Sequence, residues 1–464
     1  MRKLKRLTKE LLNNTEFRMR NSELKKSRQN FCLLFELKVD FMDTRKLIYD
    51  TFLKPFEKRQ YGNVGVELEF PLINLKKAPV DESVAKGMFD HFLKQDFKVE
   101  IEENGQILFI TNSDGDCLSF DNSYNNFEFA MNYSDDLTKI ADRFYKLLEK
   151  VQAYFRSHNH AIVGIGSNPF KKYTKKSHVD FSTYNMVDEY LTKFGKVGPY
   201  PDFPAFLSSA QTHIDIPLCD IPRAYTLYAK MDFIRAILFS NSPDFDRKGY
   251  ICYRDYLWEQ SAFSLCPNIT GKVEGNFKTN DDVVDYFVKK GIFNRKRNGK
   301  YEVFEPVGIE EYFAREDAEE DDINFYLSFK NVELTRRGTL EIRSDCAQPF
   351  EAAFAPAAFN LGIAFNMYKA ESILLDFFKK NSITKTNTQL RNEIIEGKAD
   401  LEDESLYELL ESILECSKKG LEKRGKGEEK YLLPLYDRVA RMSNPGIEAY
   451  YYDEDELVDI YAQI

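Results

Sequence analysis

Cysteine is sparse and unpatterned in this chain. Cys32, Cys117, Cys219, Cys252, Cys266, Cys346 and Cys416 are scattered, odd in number and free of any C-x-x-C pair. That excludes a disulfide framework and a cysteine-built zinc site, and each thiol reads as a small buried hydrophobe. No run of 18 or more apolar residues occurs, so the sequence offers no membrane-spanning helix. The basic N-terminus is not followed by an apolar stretch with a small-residue cleavage site. Together these absences predict a cytoplasmic protein with no membrane partner. Net positive charge is also missing: the formal charge is -10 and the pI about 5.4, which argues against nucleic acid as a partner. The chain lacks a G-x-x-x-x-G-K-[ST] loop, a G-x-G-x-x-G turn, a G-x-S-x-G elbow and a Cys/His nucleophile pattern. ATP, if used, is therefore not held by a P-loop.

What is present is a large, bulky apolar complement. Hydrophobic residues make up 43% of the 464, with 38 Phe and 27 Tyr, enough for one big domain or two modest ones. Residues 1–41 stand apart, with eleven Lys/Arg against five Asp/Glu. Their Leu4, Leu7 and Leu11 are spaced like one helix face, and the segment reads as a peripheral basic extension; a functional basic arm is the alternative. Residues 42–464 read as a single domain. It opens with Asp43 as N-cap and the helical TRKLIYDTFLKPFEK.

The most informative stretch is Val64 to Phe70, VGVELEF. As a strand it puts Val64, Val66, Leu68 and Phe70 on one face, with Glu67 and Glu69 together on the other. Two like charges on one face of a poor strand-forming pair call for a cation. Further on, the sequence predicts a helix near Glu82–Lys94, a hairpin turning at Asn104-Gly105, and a strand with Phe127, Phe129 and Met131 opposite Asn126, Glu128 and Ala130. A long amphipathic helix capped by Asp135 runs to about Ser157. Then come a short apolar strand at 161–167, a loop-rich stretch at 168–206, a strand at 209–217, and a strongly apolar helix at 222–240. The segment 271–322 reads as an irregular charged insertion. A last strand, Thr339–Ser344, precedes helices near 351–379 and 404–421 and an acidic tail.

Four of these strands repeat one arrangement, apolar inside and polar outside. Their polar positions are Glu67/Glu69, Glu128, Gln211/His213/Asp215 and Glu341/Arg343. Paired in one antiparallel sheet, they would form a carboxylate-rich trough, which cannot stay fully ionised without cations. Such oxygen-rich sites suit Mg²⁺ or Mn²⁺. His213 fits Mn²⁺ better, or hydrogen-bonds a phosphate or substrate instead. Arg254, Arg336, Arg337 and Arg343 supply the cationic side. The simpler alternatives are an internal pair for Arg343 with Glu341, a solvated turn for Arg336 and Arg337, and a surface position for Arg254.

Five segments then carry a family resemblance. VGVELEF, NNFEFAMNYSDDL, VGIGSNPF, ILFSNSP…YICYRDYLW and LTRRGTLEIRSDC run in the order of the corresponding motifs of glutamate–cysteine ligases. These belong to the glutamine-synthetase-like carboxylate–amine ligases, and the branch of plants and some bacteria is nearest. The resemblance covers about residues 58–375. It implies an α+β fold, a curved and mainly antiparallel sheet with helices on its apolar face. It also implies ATP with Mg²⁺ (or Mn²⁺), glutamate and cysteine as substrates, and a γ-glutamyl phosphate intermediate in the first step of glutathione synthesis. By motif position, Glu67, Glu69, Glu128 and Glu341 would hold metal, with His213 beside them. Arg254 and Arg343 would act catalytically on phosphate or the glutamate carboxylates. Arg336, Arg337, Gln211, His213 and the lone Trp258 complete the expected substrate- and ATP-binding set. The chain departs from the branch in reading Ser-Tyr-Asn-Asn where a Gly-Gly-Gln usually precedes the Phe-Glu pair, and in carrying His213, so the acceptor amine stays open. A glutamate ligase for another amine, and a non-catalytic binding protein that keeps the fold, are the alternatives.

Overall fold

A computed structural model describes residues 42–195, 202–244, 246, 249–401 and 403–464. The expectations for residues 1–41, and for the part of the loop-rich stretch at 196–201, lie outside them. Thr44–Ile464 form one compact unit.

The VGVELEF stretch is part of β1 (Val64–Asn74), an interior strand of a nine-stranded sheet. The others are β2 (Lys98–Glu103), β3 (Gln106–Thr111), β4 (Cys117–Phe120), β5 (Asn126–Ser134), β6 (His160–Ile162), β7 (Ala210–Ile214), β12 (Val332–Leu334) and β13 (Leu340–Ile342). The order is β12-β13-β7-β1-β5-β4-β3-β2, with β6 on β1, and each of these pairings is antiparallel. Along one edge β1 pairs with β7 over Val64–Leu68 and with β6 over Leu72–Asn74. Pro71 falls between the two, where its missing N–H breaks no ladder.

Alternation sends Val66, Leu68, Phe70, Phe127 and Phe129 into the core. There they meet α2 (Leu137–Ser157), which follows α1 (Glu82–Leu93). Phe129 lies 5.1 Å from Phe144, Phe127 5.5 Å from Phe155, and Phe70 5.0 Å from Phe350, all edge to face, the favoured geometry for ring quadrupoles. The result is the expected mixed α+β fold with helices on the sheet's apolar face.

Local expectations fail where the deciding partner is distant. The cap of α2 is Asp136, bonded to the Thr138 N–H at 2.9 Å; Asp135 instead meets Lys426 at 2.7 Å. The stretch 161–167 is a strand only to Ile162. Beyond it the chain is wedged so tightly that a Cβ on Gly166 would lie 2.9 Å from the Cys346 Cβ. The loop-rich stretch 168–206 contains α3 (Ser182–Phe194), whose first N–H is accepted by Glu103 at 2.8 Å from the β2–β3 hairpin. The single helix expected at 222–240 is two, α4 (Ile221–Lys230) and α5 (Asp232–Phe239). The insertion at 271–322 is ordered: a boxed helix α7 (Asn280–Val288) follows α6 (Tyr253–Gln260), and the hairpin β9 (Gly291–Arg297)–β10 (Lys300–Gly308) turns at Asn298-Gly299. Short β8 (Thr270–Gly271) and β11 (Phe329–Lys330) pair in parallel beside it. At 351–379 there are again two helices, α8 (Ala355–Phe365) and α9 (Met367–Lys380), followed by α10 (Asn387–Ile395) and α11 (Glu404–Arg424).

Candidate active site

Register lines the polar residues up across the sheet. Glu333 on β12 is opposite Glu341 on β13, Glu341 is opposite His213 on β7, and His213 is opposite Gly65 on β1. One step along, Gln211 faces Glu67; on the far side of β1, Glu69 faces Glu128, which faces Ser119. The four strands therefore do present one chemical face.

Two clusters form on that face. In the first, His213 Nε2 lies 3.1 Å from Glu67 Oε1 and 3.7 Å from Glu341 Oε1. These three residues each offer a ligand atom within 4.8 Å of the others. The His213 Nδ1 is 3.2 Å from the Thr339 hydroxyl, which directs Nε2 at the carboxylates. Arg337 approaches Glu67 at 3.3 Å, and Arg343 bonds Glu341. Burial pushes the Glu67 carboxyl up, but His213 and the two arginines outweigh it and hold it at about 2. Burial lowers the His213 pKa, and Glu67 and Glu341 more than restore it, so the imidazole binds its proton more tightly than usual. One N and two O donors around a cation-hungry point fit a Mn²⁺ or Mg²⁺ ion, which would take over the proton's role.

In the second cluster Glu69 is saturated with donors. It accepts from Ser209 N at 3.0 Å, Ser209 Oγ at 2.9 Å, Gln211 Nε2 at 2.7 Å and Asn126 Nδ2 at 3.3 Å. Among the described residues, Glu128 accepts only from Ser119 Oγ, at 3.2 Å. Burial and then the charges of Glu67, Asp121 and Glu69 raise its pKa well above the carboxylate range, the response of crowded carboxylates without a counter-ion.

Cavities open on either side. One of about 530 Å³ lies at the Glu67–His213 end, with Arg59, Cys117, Tyr133 and Arg337 in its wall. Another of about 190 Å³ lies at the Glu69 end, lined by Asp121, Tyr184, Gln211, Arg254, Trp258 and Arg343. A recess of about 20 Å³ continues it between Arg254, Lys272 and Arg343. Arg254 is thus buried in a cavity wall and not a surface residue. Arg336 and Arg337 border a third cavity, of about 370 Å³, shared with Glu341 and Arg343; Arg336 itself bonds the Asn324 carbonyl.

The description "glutamate-cysteine ligase family 2" matches residues 63–446. The chain belongs to that family. No curated protein matches the sequence. Among solved structures, a bifunctional glutathione synthetase from Pasteurella multocida is similar at 12% identity and a TM-score of 0.47, over 90% of this chain and 52% of that one. This chain thus spans about half of that protein's length. A glutamate–cysteine ligase from Francisella tularensis in complex with AMP is similar at 12% identity and a TM-score of 0.43, over 88% of this chain and 89% of that one.

The candidate site has members that sequence reasoning missed. Asp121 directly follows β4 in the segment SFDNS and reads as a turn residue. In the structure it enters the 190 Å³ cavity, and burial together with Glu69 pushes its carboxyl up to about 7. Lys272 reads as part of a loop, yet its ammonium is buried 2.6 Å from Glu259. Arg391, on α10, donates to Asp255 and to the Asp232 carbonyl at 2.5 Å each, and to the Ser344 carbonyl at 3.0 Å. It ties the helix carrying Arg254 to the strand end carrying Arg343. Nothing local marks any of the three. Among the described residues, no helix is long and apolar enough to cross a membrane.

Proposed function

We propose that this chain joins the γ-carboxylate of glutamate to the amine of cysteine, using ATP and Mg²⁺ through a γ-glutamyl phosphate. The observation that carries the reading is the acidic row lying between two cavities, with Glu67, His213 and Glu341 converging at one point. We assign the 530 Å³ cavity to ATP and the 190 Å³ cavity to the amino acids, whose carboxylates Arg254, Arg343 and Lys272 would neutralise. Glu67, His213 and Glu341 would hold one divalent ion, and Glu128 would hold another, with Glu69 adding negative charge beside it. Bound there, such ions would screen the charges of two anionic reactants.

In the first step a γ-carboxylate oxygen attacks the γ-phosphorus and ADP leaves. In the second the acceptor nitrogen attacks the acyl carbon and the bond to phosphate breaks. The ammonium must lose a proton first. Asp121, a carboxylate in the wall of that cavity, takes the role of base. Gln211 and Ser209 hold Glu69 in place, and Trp258 closes the cavity wall.

Phosphate release from ATP and Mg²⁺ with glutamate, measured with and without each of several amines, tests this. Cysteine-dependent release with a γ-glutamylcysteine mass is the expected result. Release that needs glutamate but prefers another amine moves the function to a sister ligase. No release with any pairing overturns the catalytic reading in favour of a binding protein.

A further inference from the structure

The β12–β13 hairpin turns on the segment Thr335-Arg336-Arg337-Gly338-Thr339. The Thr335 N–H donates to the Thr339 carbonyl at 2.9 Å, and the Gly338 N–H to the Thr335 carbonyl at 3.0 Å. Gly338 has a φ of +76°, in the left-handed region, and a Cβ there would lie 2.8 Å from the Pro55 carbonyl oxygen. The Arg337 carbonyl accepts from Arg59. The turn is therefore fixed twice, by its own hydrogen bonds and by the segment that precedes β1. It carries two exposed arginines and two half-buried threonines.

The two threonine hydroxyls lie 2.7 Å apart, and Thr339 Oγ1 is 3.2 Å from His213 Nδ1. On the other side of the ring, Nε2 lies 3.1 Å from Glu67 and 3.7 Å from Glu341. It has no hydrogen-bond partner among the described residues. An imidazole that ligates through one nitrogen donates from the other to an acceptor, which fixes the ring. The backbone equips the threonines for that task. Thr335 Oγ1 accepts the Thr339 N–H at 3.2 Å, and a hydroxyl oxygen has a second lone pair. That lone pair can take the Thr339 hydroxyl proton, which leaves Thr339 Oγ1 to accept the Nδ1–H. Nε2 then aims its own lone pair between the two carboxylates.

We propose that Thr335 and Thr339 are positioning residues, a hydroxyl relay that presents His213 Nε2 to the cation and so selects Mn²⁺ over Mg²⁺ at that point. The inference rests on the reading of Glu67, His213 and Glu341 as an ion site. A ring nitrogen is a better ligand for Mn²⁺ than for Mg²⁺, which prefers oxygen and keeps its waters. The selection therefore comes from His213 and is lost when its ring is free to turn, even with both carboxylates in place. The same turn sends Arg337 to Glu67 at 3.3 Å, so one hairpin end reaches two of the three ligands.

Calorimetric titration of the full chain with Mn²⁺ and, separately, with Mg²⁺ tests the relay, without nucleotide or turnover. Pulsed electron paramagnetic resonance adds a signature, the coupling of a ring nitrogen to bound Mn²⁺. The parent should prefer Mn²⁺ and show that coupling. Thr339→Val keeps the shape and removes the hydroxyl. It should weaken Mn²⁺ by about 10–100-fold, the usual cost of a lost outer partner, leave Mg²⁺ unchanged and lose the coupling. Thr339→Ser should restore all three. Thr335→Val, which spares the bond to His213, should weaken Mn²⁺ less and in the same direction. No Mn²⁺ binding by the parent, or His213→Gln binding Mn²⁺ as tightly as the parent, would overturn the ion reading and the relay with it. A parent that does not prefer Mn²⁺ would overturn the relay alone, as would full Mn²⁺ affinity in Thr339→Val beside a weakened His213→Gln. Equal loss of Mn²⁺ and Mg²⁺ in Thr339→Val, or no recovery in Thr339→Ser, would show a merely structural role and overturn it too.

Discussion

Glu333 and Glu341 stand directly opposite each other on neighbouring strands, yet their substitution by glutamine should have opposite consequences. Glu341 lies 3.7 Å from His213 Nε2 and bonds Arg343. Glutamine there keeps an oxygen acceptor for Arg343 and removes one charge from the converging point. By analogy with losing one electrostatic stabiliser, turnover should fall about 10²–10³-fold, or roughly 2.7–4 kcal/mol of barrier. Stability should change by about 1–2 kcal/mol at most, the scale of one weakened charge-assisted bond. Glu333 bonds the fully buried ammonium of Lys290 and accepts the Leu334 N–H at 3.0 Å. The Lys290 nitrogen also lies 3.9 Å from the Phe287 ring centroid. Glu333→Gln leaves that charge without its counter-ion and should cost about 3–5 kcal/mol of stability. The folded fraction of that variant should still turn over substrate. Phosphate release and thermal unfolding, measured on both variants with Mg²⁺ at saturating substrates, check the pair. Glu341→Gln turning over at more than a tenth of the parent rate would refute the placement of the ion. Glu333→Gln losing turnover with no loss of stability would show that the charged row is partitioned differently.

Asp121→Asn should lower kcat with the acceptor amine by about 10²–10⁴-fold, the usual range for a lost general base, and leave KM for ATP unchanged. Gly420→Ala should be strongly destabilising, because its Cβ would lie 1.9 Å from the Gly362 carbonyl oxygen where α8 and α11 touch. Overpacking usually costs about 1–3 kcal/mol, and here the obstacle is backbone, so the thermal midpoint should fall by at least that equivalent. Acid should weaken the Asp255–Arg391 link. Burial raises the Asp255 carboxyl, but Arg391 and Lys272 outweigh it and hold it below the usual 3.8. A carboxylate depressed in the folded state adds stability that is complete above its unfolded value and is lost as pH falls below it. Urea midpoints of the parent should therefore drop on acidification below about pH 4, more steeply than those of Asp255→Asn. Removing residues 1–41 should leave turnover unchanged, since the family match begins at residue 63; a soluble but inactive truncation would contradict this.

The polar face was legible because it is written at short range. A strand shows its two faces in alternate residues, so VGVELEF declares Glu67 and Glu69 as neighbours before any partner strand is known. The same rule gave Glu128, His213 and Glu341, and register brought them onto one face. What alternation cannot show is which side chains meet. Glu67 and Glu69 are equivalent in the sequence pattern. Yet Glu67 meets His213 and Arg337, whereas Glu69 is enclosed by donors from Ser209, Gln211 and Asn126. That difference is set by strand stagger and by a non-strand residue, Ser209. The elements misjudged follow the same logic. The N-terminus of α3 draws its acceptor from Glu103, far away in the chain, so no local cap announces it. The Asn298-Gly299 turn is a local signal, obscured by the charge of the strands around it.

The buried cations show why the missing part of the site could not be read from motifs. Arg391, Lys272 and Lys290 lie in segments whose sequence favours solvent, and each is buried only because an acid from another element meets it. Leaving any of them unpaired would cost several kcal/mol, so the pairs constrain one another's positions. Arg391 reaches Asp255 on α6 and the Ser344 carbonyl after β13 in a single side chain. Each of those residues is the immediate neighbour of an arginine lining the 190 Å³ cavity, Arg254 and Arg343. The cavity's cationic wall is thus fixed from behind by a residue 137 positions beyond Arg254 and 48 beyond Arg343 in the chain. An Arg391→Met variant that folds should therefore bind glutamate more weakly while its affinity for ATP holds, because the two arginines lose their common anchor and the Glu67–His213–Glu341 point does not. Equal loss of both affinities would mean that Arg391 supports the fold as a whole and not that wall.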